Sequence, residues 1–173
     1  MSARKSLPVV YLQEALADQT AAFLDSFAQG GPSEGVVYWF GLELADRAVV
    51  TTLIVPAANT TGGRISTSAE SNAEAVGQVV GTPLVYLGQA HSHPGWHVDH
   101  SPVDDRETFA RFDGAVSVVV PWFGRYGFVL GDCGVHRHVG GRFRRVERVD
   151  EHLRLIPSFR DLRPLSLGGC HAR

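Results

Sequence analysis

The chain has 173 residues, 44% of them hydrophobic and 20% charged, with a formal net charge of −2. That length buries one sizeable core but not two independent ones, and the near-neutral balance lacks the basic footprint of a nucleic-acid binder. No apolar run reaches the length of a membrane span, so a cytoplasmic protein without nucleic-acid or membrane partners is expected.

Along the chain, Leu12, Ala15, Leu16, Ala22, Phe23 and Phe27 recur at helical spacing and predict a first helix over 12–29, stopped by Gly30-Gly31-Pro32. Two β-branched and aromatic segments, 35–41 and 48–55, predict strands joined as an antiparallel hairpin. Residues 56–66 read as loop with a short extended piece, and 68–80 as a second helix. The apolar run 84–90 predicts a buried central strand leading into His91 and His93. A third helix over 102–111 follows, then strands at 115–121, 126–130, 134–139 and 143–149. This order predicts an α/β fold of the mixed α+β kind, with one curled mixed sheet flanked by helices. The domain spans 1–149, and 150–173 forms a C-terminal tail packed on it or mobile. Cys133 and Cys170 have neither metal-ligand nor redox spacing and read as non-functional, equally compatible with two free thiols.

The densest chemistry lies in His91-Ser92-His93-Pro94-Gly95-Trp96-His97-Val98-Asp99-His100-Ser101-Pro102-Val103-Asp104. On an extended segment the period of two turns both imidazoles of His91 and His93 to one side, within reach of one cation. Ser101-Pro102-Val103-Asp104 reads as a helix start, with serine at the cap, proline at the first helical position and an acid in the first turn. Asp104 is thereby able to swing back as a third ligand. Two histidines and a carboxylate leave a fourth position open, which separates a catalytic zinc site from a closed structural one. Taken singly, a His-x-His pair is most often a solvated strand face and Ser-Pro-Val-Asp only a capping box; the strand before and the cap after supply the context that joins them.

His-Ser-His-Pro, six residues, Ser, two residues, Asp resembles the signature of the JAMM (MPN-type) metalloprotease family, with every signature position occupied. The resemblance extends over roughly residues 8–149 and implies the MPN/JAB architecture, related to cytidine deaminases. It also implies a glutamate on the strand after the first helix, which Glu34 in Pro32-Ser33-Glu34-Gly35-Val36 matches. Glu14, Glu43 and Glu70 lie in a helix, a turn and a helix start, so none shares that position. The implied chemistry is hydrolysis by one zinc ion per chain held by His91, His93 and Asp104, with Glu34 as general acid-base and the Ser101 hydroxyl donating to the oxyanion. The implied partner is a ubiquitin-like or sulfur-carrier-like protein ending in diglycine, cut from a conjugate or trimmed from a precursor, together with the activating and conjugating enzymes of such a system. A metal-free scaffold that binds partners without cutting is the reading from another class, and such scaffolds typically lack a ligand.

Around the signature, Trp96 reads as the floor of a groove for an extended peptide or as core, with equal weight. His97, Asp99, His100 and Asp105 are candidates to orient a metal histidine. His136 and His138 lack a carboxylate at usable spacing and are expected on an exposed strand face. Leu165-Ser166-Leu167-Gly168-Gly169-Cys170 looks superficially like a diglycine tail that would inhibit the site or be trimmed, against the plainer reading of an incidental glycine pair in a C-terminus.

Overall fold

In the computed structural model, which describes residues 7–61 and 64–158, β1 (Val9–Gln13) runs directly into α1 (Glu14–Ala28). The expected helix thus begins two residues late. Val10 and Leu12 are buried at period two as strand residues, and the helical stripe continues through Ala17, Ala21 and Leu24. β2 (Val36–Glu43) and β3 (Arg47–Ile54) form the expected antiparallel hairpin, with a bulge at Phe40/Gly41. The following loop contains a small separate hairpin, β4 (Ala58–Thr61) and β5 (Arg64–Thr67), and then comes α2 (Ala69–Gly77), capped by the Ser68 side chain.

β6 (Val85–Ser92) is the central strand, antiparallel to β2 and parallel to β7 (Val116–Val120), with the short helix α3 (Pro102–Glu107) between them in sequence. β8 (Gly134–Val139) and β9 (Arg142–Arg145) complete one side of an eight-stranded sheet ordered β10-β1-β3-β2-β6-β7-β8-β9. The strand expected at 126–130 does not form. Gly127 has φ +84 and its N–H bonds to the Gly124 carbonyl, so the chain turns there.

β10 (Leu153–Ile156) lies in the stretch expected to be a tail. It pairs in parallel with β1, and Ser158 accepts the Ala15 N–H of α1 at 2.7 Å. Residues 159–173, with the glycine pair at 168–169, lie outside the described residues. The sheet curls until β8 reaches β1 and β10. Buried Arg137 donates to the Pro8 carbonyl at 2.7 Å and the His152 carbonyl at 3.3 Å, and burial pulls its pKa down to about 10.

The faces of the sheet differ. On one, Val37, Trp39, Ala90, Val118 and Val135 pack against Ala17, Ala21 and Leu24 of α1. On the other, Val36, Tyr38 and Phe40 pack with Ala75 and Val79. His136 and His138 also lie on this second face, buried rather than exposed: residues 97–100 fold across His136, and Asp113 and Phe143 lie against His138. Gly134 makes that cover possible: a Cβ there would sit 1.8 Å from the Val98 carbonyl oxygen.

Candidate metal centre

His91 stands in register with Val36 on β2 and Val119 on β7, inside the sheet. His93 follows two residues later, just past the strand end, where the backbone has stopped pairing with β2 but its N–H still bonds to Val120. The capping box at the start of α3 brings the third group. The Ser101 hydroxyl accepts the N–H groups of Val103 and Asp104, both at 3.2 Å, and the Asp104 carboxylate accepts the Ser101 N–H at 2.6 Å. With Asp104 so fixed, one ligand atom from each of His91, His93 and Asp104 lies within 4.8 Å of the other two.

The arrangement has the chemistry of a cation site. His91 is 2% exposed, yet neither ring nitrogen has a hydrogen-bond partner among the described residues, and its Nε2 stands 3.8 Å from Asp104 Oδ2, too far for a hydrogen bond. His93 holds its Nδ1 2.8 Å from the His97 carbonyl oxygen, which calls for a proton on Nδ1 and leaves Nε2 as a free lone pair 3.5 Å from Asp104 Oδ2. Burial alone would raise the Asp104 pKa. The imidazoles, whenever they carry a proton toward it, and the Ser101 N–H outweigh it and hold the carboxyl well below its ordinary range, ionised as a ligand must be. Three donors with unspent lone pairs around one point fit a divalent cation of the zinc class, with a position left over for substrate.

Glu34 sits two residues before β2 rather than on it. Continuing the β2–β6 register pairs Gly35 with Ser92, and two bonds fix that pairing: Gly35 N–H to Ser92 Oγ at 2.9 Å and Ser92 N–H to the Gly35 carbonyl at 3.0 Å. One step further, Glu34 falls opposite His93. Ser92, the residue between the two histidines, is therefore what ties the glutamate segment to the metal strand. Glu34 is 8% exposed, and its pKa is pushed up to about 7, chiefly by burial and further by Asp104, with His93 pulling the other way.

Of the four candidate orienting residues, His97 acts through its backbone carbonyl on His93. His100 is buried behind His91, its Nδ1 2.9 Å from Asp105 and its Nε2 2.9 Å from Ser117, with its ring 4.1 Å from that of His136. Asp99 pairs with Arg145 on β9. Together they pin the 97–105 segment, and so Asp104, onto the sheet. Trp96 is 76% exposed, which removes the core reading for it. Sequence reasoning missed Ser92, Gly134 and His136 as parts of this support, since each acts on a segment distant in sequence. A cavity of about 980 Å³ between β8, β9 and β10 shares no residue with His91, His93 and Asp104. A cleft beside His91 and Asp104 is walled by Ile65, Ser66 and Thr67 of β5.

No family model matches the chain. A relative that does align is the probable metalloprotease y4jG of Sinorhizobium fredii, 30% identical over 141 residues, covering 79% of this chain and 86% of that one. Among solved structures, a protein from Desulfitobacterium hafniense superposes with TM-score 0.67 at 16% identity over 87% of this chain and 94% of its own. A protein from Salinibacter ruber does so with TM-score 0.53 at 18% identity, covering 87% and 93%. A JAB1/MPN domain protein from Archaeoglobus fulgidus aligns over 85% and 96% at 18% identity and TM-score 0.49. The first two likenesses concern the fold.

Proposed function

The chain belongs to the JAMM (MPN-type) metalloprotease family and is a peptidase of that type, and on this premise we propose that it cuts the bond after the C-terminal diglycine of a ubiquitin-like protein. The observation that carries the reading is the meeting of His91, His93 and Asp104 with a buried glutamate, Glu34, that falls opposite His93. We take the metal to be one zinc ion per chain, held by those three side chains. When bound it would activate a water and polarise the scissile carbonyl.

The residues then divide the remaining work. Glu34, buried opposite His93, takes a proton from the attacking water at its carboxylate and returns it to the leaving amine. Ser101 Oγ spends its lone pairs on the α3 backbone, so its own proton is free to donate to the developing oxyanion. The His97 carbonyl keeps the His93 ring from turning. Trp96, exposed three residues past His93, offers an aromatic surface to the extended substrate. A glycine pair suits such a cleft, because backbone without side chains approaches the wall closely. Trimming a sulfur-carrier-like protein uses the same chemistry and is the second reading. A non-catalytic scaffold is disfavoured, since each ligand, Ser101 and Glu34 is present.

Glu34→Gln tests the assignment. It should lower turnover of a ubiquitin-like fusion by about 10²-fold or more while leaving metal content unchanged, because it removes a proton carrier and no ligand. Cleavage at the wild-type rate would rule out the proton-carrier role.

A further inference from the structure

The segment after β7 contains a local conformation that its sequence does not favour. Trp122 and Phe123 are successive residues with φ of +56 and +60, and among the described residues no other non-glycine has a positive φ. Side chains with a Cβ are strained in this region, and turns of this shape ordinarily use Gly or Asn. The strain is held by the metal loop itself. Phe123 N–H donates to the His93 carbonyl at 2.8 Å, Trp122 N–H to the Gly95 carbonyl at 3.2 Å, and Gly124 is packed so closely on α1 that a Cβ would lie 2.7 Å from the Ala21 carbonyl oxygen.

The strained turn presents an aromatic pair. Trp122 is 43% and Tyr126 72% exposed, their rings meeting edge to face at 6.4 Å, and the turn is bonded to the residue before exposed Trp96. Core packing does not explain a solvent-facing pair of this size, since the apolar surface stays in water. His91 is nearly sealed, its side chain 3% exposed, so the ligand set opens at His93 and Asp104, 12% and 13% exposed, and this turn is bonded to the backbone at the His93 end of that opening.

We propose that Trp122, with Tyr126 beside it, is a specificity-determining residue that receives an apolar side chain flanking the diglycine of the extended peptide substrate. The proposal rests on the peptidase reading above and deepens it by naming the substrate's neighbouring residue class. Rigid aromatic rings suit this task, because they offer large contact area with little rotamer entropy to lose.

The test uses the zinc-loaded full chain and two internally quenched peptides that differ only in leucine or serine at the positions flanking Gly-Gly. Wild type should prefer the leucine peptide by about tenfold or more in kcat/KM, mainly through KM. Trp122→Asn, which suits positive φ, should shrink that preference below about threefold without lowering Tm. Trp122→Phe should keep most of it. An equal preference in wild type and Trp122→Asn, or an equal loss on both peptides, would overturn the proposal. Acrylamide quenching of tryptophan fluorescence separates the two layers of the argument. Shielding of wild type but not Trp122→Asn by the leucine peptide, without cleavage, defeats only the peptidase reading; no shielding defeats the proposal.

Discussion

Trp39 and His91 lie on opposite faces of the same sheet and are buried alike, at 0% and 2% exposure. Trp39 faces α1, and its indole N–H donates to Thr20, which in turn donates to the Leu16 carbonyl. His91 faces the 97–105 segment, and both of its nitrogens are unpartnered. Around Trp39 the polar groups of the α1 face are thus paired with one another, and this face holds the fold together. The other face keeps unspent lone pairs in a low-dielectric setting, where they are costly until a cation takes them. Burial alone does not distinguish structure from function; what the buried polar atoms lack does.

If the α1 face carries stability, Leu24→Ala should be the most damaging single change to folding. Leu24 is fully buried against the sheet, and its truncation should cost about 2–5 kcal/mol by denaturant unfolding, with zinc affinity of the folded fraction retained.

The metal face should instead be the one that responds to acid. Burial lowers the His136 pKa to about 4, with the neighbouring His91 and Arg145 adding to the shift and Asp99 opposing it. A histidine depressed in the folded state leaves stability intact above its unfolded value of about 6.5 and removes it as pH falls toward 4. Between those limits wild type measured with a chelator should lose on the order of 2–3 kcal/mol more than His136→Gln. Parallel acid curves for the two proteins would show that His136 carries no such linkage.

The smallest effect should come from Gly134→Ala. Its Cβ meets the Val98 carbonyl, so the 97–100 cover must shift, at a cost of about 1–3 kcal/mol in stability. Because that cover carries the His97 carbonyl and leads into Asp104, zinc affinity should fall by about tenfold or more, measured by competition with a chromogenic chelator. Unchanged affinity would mean that the ligand geometry does not depend on this close approach.

The same contrast explains what the sequence could disclose. His91, His93, Ser101 and Asp104 are legible because one short segment holds them and each spacing has a local geometric meaning, a strand end and a helix cap. Glu34 was found only through resemblance, since its link to the site runs through Ser92 on another strand. His136 and His138 were misplaced because what covers them comes from elsewhere in the chain, residues 97–100 over His136 and Asp113 with Phe143 against His138. β1 and β10 were missed because they are short, and their parallel pairing joins opposite ends of the chain. The Trp122–Phe123 turn left no signal at all, as neither residue marks a positive φ.

The central claim is that His91, His93 and Asp104 form one catalytic metal site. Elemental analysis of wild type and Asp104→Ala, both purified without chelator, tests it most directly. About one zinc per chain in wild type, with near-complete loss in Asp104→Ala, is the predicted result. Wild type with negligible metal, or a variant that keeps its full complement, would contradict it.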